Sequence, residues 1–585
     1  MNRSQLMWLL SSLLLLGSRS TQPLTPAMPV LQLLTDPFLQ LPTSNSVRVV
    51  WFTEFEGTQH LVQYGDQLHH QVRATTQMLS KVREDQRSQV GGPKINSQGD
   101  PPPVKRQIWR HEAVVPAPPD IRVPYRVVSQ AATGQVVSDR FTLSALPTPG
   151  SPQKILLTSD HQLKPMTPAN LQKVVETVGQ VDAVFFAGDL VNIPDRASEW
   201  FDDRRGNAFF PTLQGRAHFK LGSTLYRGGA IIQSAPLFPA IGNHEVMGRF
   251  SKTLSLADQF NDAVPRAVAE KRYHQNVGGS SPGQGVPPQA WIQDHSFNVD
   301  TYRELFSLPT ESPGQERYYA LTFGDIRLIS LYITHIWRPP GLGPQTKGRY
   351  RERESDLAHP NRWGHGQHIF EAIAPGSPQS EWLQQQLQHP AFRRAKYRVV
   401  MFHHPPHTLG DNGVPPYTDP VPTVKRDPDG TVKSVRYQYP PEADNLQHHL
   451  LPLLEEAGVD LVFYGHTHLW NRFISPKGMH FLETSNVGNT YGAYTATNGQ
   501  RRQIPPEFEG HYAAVGDPNG LAPVVPTLRP PVDAHGQVQP YIASNDITVF
   551  SILETQTGAI SSYQFDTRLP DSPVIKFDEF YLGRH

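Results

Sequence analysis

Five short segments of this 585-residue chain carry the residue types that hold metal ions. In order they are Ser159-Asp160-His161-Gln162, Gly188-Asp189-Leu190-Val191-Asn192, Gly242-Asn243-His244-Glu245, His403-His404-Pro405 and Gly465-His466-Thr467-His468. Together they offer carboxylate oxygens, imidazole nitrogens and an amide carbonyl, enough donors to hold two metal ions side by side. A carboxylate that bridges two cations needs both oxygens free. A residue at a strand end, beside a glycine that lets the chain turn sharply, meets that need. Asp189, directly after Gly188, is in that position. Asn243 adds a neutral oxygen and the histidines add nitrogen, a mixture suited to zinc, iron or manganese and not to calcium. One histidine among 25 says little; five such segments, each with a plausible strand before it, say much more.

The elements that must position these segments follow from the apolar pattern. Residues 155–158 form a buried-type strand ending just before Asp160, and a helix is expected over 168–178. Residues 183–187 lead to Gly188-Asp189, 399–402 to His403 and 459–464 to Gly465-His466. Leu446, Leu450, Leu453 and Leu454 make an i, i+4, i+7, i+8 stripe, with Gly458 as a stop and Pro452 as an interior kink. Most ligand-bearing segments therefore sit beyond strand C-termini, the edge at which open α/β sheets build their sites. Strands at 317–323 and 326–333 and a helix around 379–387 fill the interval between Glu245 and His403. Polar Gly/Pro-containing insertions interrupt it at about 251–300 and 335–370. Strands at 547–553 and 561–565 are expected to complete the outer sheet.

Residues 28–148 have a different character. Short β-rich runs at 47–53, 60–64, 125–128 and 139–143, separated by turn signals, predict a small β-sandwich. The polar stretch 84–104, with Pro101-Pro102-Pro103, is expected to be an exposed insertion. The α/β unit then spans 151–585. At the start, Arg3 precedes the apolar run 6–16 and Ser18-Arg19-Ser20, the pattern of a signal peptide over 1–20. That run is shorter than the roughly 20 residues of a membrane span, so a periplasmic or secreted protein without a stable anchor is expected. The absence of cysteine excludes disulfides and thiolate ligands. Lys+Arg and Asp+Glu are both 53, so no net basic field exists to gather nucleic acid, and an anionic substrate must be held locally.

The five segments resemble the signature of the calcineurin-like metallophosphoesterases. The resemblance implies a four-layer α/β/β/α sandwich and a dinuclear metal centre that hydrolyses small phosphorylated substrates. Asp160, Asp189 and His468 would hold the first ion; Asp189, Asn243, His403 and His466 would hold the second. His244 would bind no metal but would contact the substrate and help protonate the leaving alkoxide, while a hydroxide bridging the metals attacks phosphorus. Trp51–Thr53, Tyr64-Gly65, Tyr318-Tyr319, Phe323-Gly324-Asp325, Trp382-Leu383 and the stretch 459–472 resemble the purple acid phosphatase branch, as does a fibronectin-like sandwich placed before the catalytic unit. This favours phosphomonoester hydrolysis, with phosphodiester hydrolysis as the alternative. A non-catalytic metal-binding recognition module is the reading from another class.

Two positions depart from the family. Where many members have Asp-x-His, with that histidine on the first metal, this chain has Gln162, and His161 is one residue early. Neighbouring side chains on an extended backbone point to opposite faces, so His161 is no substitute. The tyrosine of the purple enzymes is replaced by Asn192. Among other candidates, Arg249, His407 and Arg472 are near enough in sequence to contact phosphate, and the basic run 347–353 is a further possibility. Gly279-Ser280-Ser281-Pro282-Gly283 imitates a serine-hydrolase motif but lacks a preceding apolar strand. The loss of a nitrogen donor at Gln162 predicts unequal metal sites: calorimetric titration of the metal-free protein is expected to show one tight and one weak ion.

Overall fold

The computed structural model describes residues 31–90, 101–276, 286–338, 341, 343–370, 373–413, 416–502 and 515–583. The expected signal peptide over 1–20 and the 279–283 motif lie outside them. The strand Lys154–Thr158 is buried at its last four positions, without the polar alternation of a half-exposed strand. It pairs in parallel with Ala183–Phe186, which pairs in parallel with Leu237–Pro239. On its other edge Ile547–Glu554, Ala559–Asp566 and Ile575–Tyr581 complete a six-stranded sheet. A second, seven-stranded sheet runs Tyr319–Phe323, Ile326–Ser330, Tyr397–Met401, Leu461–Tyr464, His480–Thr484, Trp470–Ile474, Tyr541–Ile542. Its middle strands, from Ile326–Ser330 to His480–Thr484, are parallel.

The sheets share one hydrophobic core. Polar groups inside it are paired across the interface: Trp470 Nε1 donates to Ser562 Oγ at 3.0 Å, and the Tyr397 hydroxyl to the Thr555 carbonyl at 2.9 Å. Helix Thr167–Val178, with Pro168 in its first turn, buries Leu171 and Val174 on the first sheet, where Asn170 donates to the Val549 carbonyl at 2.7 Å. Helix Pro378–Gln388 starts at Ser377, whose hydroxyl accepts from the Ser380 N–H. It buries Trp382 and Leu383, and its Gln379 pairs with both backbone groups of Tyr332 beside the second sheet. The layers are thus helix, sheet, sheet, helix.

Two elements differ from expectation. The strand expected over 326–333 ends at Ser330, and Thr334–Trp337 leaves the sheet to pair with His368–Phe370. The leucine-rich segment is not one regular helix: a π-helical turn, Leu446–Leu450, leads into an α-helix, Leu451–Glu456, with Pro452 in the first turn of the latter.

Ahead of these sheets lies a β-sandwich. One sheet orders Phe38–Gln40, Ser46–Thr53, Trp109–Pro116, Thr75–Met78, and the other contains Gln59–Tyr64, His70–Arg73, Val123–Ala131, Gly134–Val137 and Phe141–Leu143. Strand Ser46–Thr53 is buried on both faces because it serves two cores. Val47, Val49 and Trp51 fill the sandwich, while Val50 and Phe52 point the other way and pack with Phe201 and Phe210 in the main core. The stretch expected to be an exposed insertion from 84 begins instead as part of this junction. Arg83 pairs with Asp195 at 3.1 Å and Asp85 with Arg196 at 3.2 Å, all four largely buried. Among the described residues no helix is long and apolar enough to cross a membrane. Arg83→Ala strands Asp195 as a buried charge, and urea unfolding is expected to show a loss of about 3–5 kcal/mol.

Candidate metal centre

The ligand-bearing loops leave their strands in an unusual backbone conformation. Asp160, Asp189, His466 and His468 have φ of 55°, 60°, 84° and 57°. Asp and His tolerate this left-handed region better than most residues, but it persists only where the surroundings hold it. Two glycines let the loops of opposite sheets meet. A Cβ on Gly188 would lie 2.9 Å from His403 Nδ1, and one on Gly465 would lie 2.3 Å from Asp160 Oδ2.

Two buried glutamates fasten these loops. Glu245 accepts from the backbone N–H groups of Asp189, Leu190 and Gly242, each at 2.8 Å. Glu483 accepts from the Thr467 N–H at 2.9 Å and hydroxyl at 2.6 Å, and from the hydroxyls of Ser485 and Thr408 at 2.8 and 3.0 Å. Burial, with Asp189 close by, pushes the Glu245 carboxyl up to about 8 despite its three donors. Burial, with a smaller push from Asp160, raises Glu483 to about 7 against its hydrogen bonds. Neither role was read from the sequence: Glu245 was visible only as the last residue of its motif, and Glu483 carries no motif at all.

The clamped loops bring the six expected ligands into one contiguous cluster. Ligand atoms of Asp160, Asp189 and His403 lie within 4.8 Å of one another, as do nitrogens of His403, His404 and His466. His468 Nε2 is 3.3 Å from Asp160 Oδ1, and His403 Nε2 is 3.2 Å from both Asp189 Oδ2 and Asn243 Oδ1. His403 Nδ1 donates to the Ala187 carbonyl at 2.7 Å and His468 Nδ1 to Asn489 Oδ1 at 2.8 Å. Each bond fixes the ring and turns Nε2 inward, the arrangement that metal-binding imidazoles require. Burial opposes charge on His403, but Asp189 and Asp160 outweigh it and raise its pKa to about 10, so this spot favours positive charge. Burial also opposes charge on Asp189, yet His403 and His244 hold its carboxyl well below the usual range. Asp160 Oδ1, Gln162 Oε1, His404 Nε2 and His466 Nε2 are buried without hydrogen-bond partners. Unpaired donor atoms of metal-ligand type, converging from two sheets, fit a metal centre.

His244 stands apart from the ligands. Its side chain is 24% exposed, against 2% for Asp189, and its Nε2 is 3.9 Å from Asp189 Oδ2. Its backbone N–H donates to Asp189 Oδ1 at 2.9 Å, and its Nδ1 donates to the Asn192 carbonyl at 2.7 Å. Asn192 is therefore a structural link, since its side chain also donates to the Gln162 carbonyl at 2.8 Å. Gln162 Nε2 donates to Asp189 Oδ2 at 3.1 Å, which leaves Oε1 as the neutral oxygen it can offer. His161 points away, as its position implied: it bonds Thr158 Oγ1 at 2.9 Å and packs on Phe186.

The other phosphate-contact candidates are occupied elsewhere. Arg472 is buried against Asp578 at 3.0 Å, and His407 against Asp517 at 2.9 Å. Arg249 pairs with Asp262 at 2.8 Å and, with Lys347, Arg353 and Arg362, lines a separate cavity of about 690 Å³. Arg338, which sequence reasoning did not single out, is buried on the Phe260 ring at 3.4 Å and donates to the Asn243, Val246 and Phe260 carbonyls. It steadies both the loop that carries Asn243 and the aromatic ring against which His244 packs.

Residues 153–469 match the family model described as calcineurin-like phosphoesterase. No curated protein matches the chain. Among solved structures it is similar to "GAP50 the anchor in the inner membrane complex of Plasmodium", at 10% identity over 73% of this chain and 89% of that one, with a TM-score of 0.32. For the clamp, Glu245→Ala deprives three buried N–H groups of their acceptor. Denaturant unfolding is expected to show a loss of about 3 kcal/mol or more, and Glu245→Gln, with one oxygen kept, a smaller one.

Proposed function

The chain belongs to the calcineurin-like phosphoesterase family, and from that premise we propose that it hydrolyses phosphate monoesters at a centre of two metal ions. Asp160, Asp189 and His468 would hold one, and Asp189, Asn243, His403 and His466 the other. One observation carries the reading: the ligand set is buried, while the His244 side chain is partly exposed, with Nε2 3.9 Å from the shared carboxylate. Bound cations of this kind lower the pKa of water to about 7 and neutralise charge on a phosphoryl group.

The chain's own residues do the rest. Asp189 cannot rotate, because Oδ1 accepts from the His244 N–H and Oδ2 faces His403 and Gln162. His244 is fixed in turn by its bond to the Asn192 carbonyl, so its Nε2 is directed at an incoming ester. Burial lowers the His244 pKa to about 4, and with Nδ1–H held by the Asn192 carbonyl only the imidazolium carries a proton on Nε2. As the oxygen of a water that has already given a proton to solvent bonds to phosphorus and the bond to the leaving oxygen breaks, that Nε2 proton passes to the leaving oxygen, which departs as an alcohol. The preference for monoesters is supported by the resemblance of the flanking segments to the phosphatase branch.

The test is turnover of an aryl phosphate monoester and the matching diester by protein loaded with manganese, zinc or iron. Metal-dependent monoester hydrolysis is expected. Asp189→Ala should abolish it, and His244→Ala should lower kcat about 100-fold or more. Faster diester turnover would replace the monoester reading. No turnover with any metal would leave a metal-binding recognition module.

A further inference from the structure

We propose that His404 is a third imidazole ligand at the second metal position, beside His403 and His466. The inference rests on the metal-centre reading above but is not implied by it, because the family pattern assigns this position only two histidines. One nitrogen from each of the three rings lies within 4.8 Å of the others, and all three residues are buried. The His404 ring stacks on His466 with centroids 3.9 Å apart and planes 28° from parallel, and meets His403 edge to face at 5.2 Å.

The two nitrogens of His404 are in different circumstances. Nδ1 pairs with the Thr334 hydroxyl, contributed by the strand that leaves the second sheet after Ser330. Nε2 is buried with no partner, as is Nε2 of His466. When Nδ1–H donates to Thr334, Nε2 carries a lone pair, the state in which imidazole binds a cation. An unpaired nitrogen in a fully buried ring is costly unless something meets it. Trp337 and Phe370, both buried, pack against the His404 ring.

The consequence is an unequal division of nitrogen between the two positions. The first has His468 and the neutral amide of Gln162; the second has three imidazoles, the Asn243 oxygen and Asp189. A nitrogen-rich set of this kind favours zinc, nickel or copper over manganese.

The experiment uses the full chain, stripped of metal and reloaded with one equivalent of zinc. X-ray absorption counts imidazoles per zinc, and competitive titration gives the affinity. The wild type is expected to show three imidazoles at its tight ion. His404→Gln is expected to show one fewer and at least tenfold weaker binding. An unchanged imidazole count and affinity in His404→Gln would overturn the proposal and leave the metal-centre reading intact. Zinc binding that is absent, or that survives Asp189→Ala undiminished, would overturn both. Should His404→Gln fail to give a cooperative thermal melt, the wild-type spectrum decides alone: two imidazoles per zinc would overturn the proposal.

Discussion

Two buried carboxylates that bind no substrate make the rest of the site possible. Glu245 collects three backbone N–H groups from the first sheet's loops, and Glu483 collects a backbone N–H and several hydroxyls from the second's. Without these acceptors the loops would bury unpaired donors and relax out of the left-handed conformations at Asp189, His466 and His468. Each glutamate offers two acceptor oxygens to several donors at once, which suits it to holding strained backbone. The ligands are thus aimed through their backbone and their loops.

The site also depends on the way two separate sheets are pressed together. Asp160, Asp189 and Asn243 come from the first sheet, and His403, His466 and His468 from the second. Neither sheet carries a full set. Their registration is set by the shared core and by cross-sheet bonds such as Trp470 to Ser562. Gly188 and Gly465 allow the final approach, since a Cβ at either would collide with a ligand of the opposite half. The N-terminal sandwich joins the same core through Val50 and Phe52, so its junction is a continuation of the main packing and not a loose tether.

The two departures from the family pattern are coupled to each other. Gln162 binds the bridging candidate Asp189, and Asn192 binds both the Gln162 carbonyl and His244. Gln162 and Asn192 therefore form one hydrogen-bonded network, which runs from Asp189 to His244.

The sequence by itself marked the candidate donor set, because the five segments and the apolar strands before them are local patterns and each candidate ligand follows its strand end within a few residues. It determined the helix–strand order, the C-terminal strands and the direction of His161, which strand geometry alone sends away from Asp189. The tertiary structure decided what depends on long-range meeting. Glu483 became a clamp because it faces Thr467 across neighbouring strands, and Arg338 because its strand is drawn out of the second sheet. Arg472 and His407, close to ligands in sequence, were turned to buried partners at Asp578 and Asp517, and Arg83 to Asp195. The physical reason is the same in each case. Spacing along a chain fixes which face of an element a side chain occupies, but the partner that a buried polar group must find comes from another part of the chain.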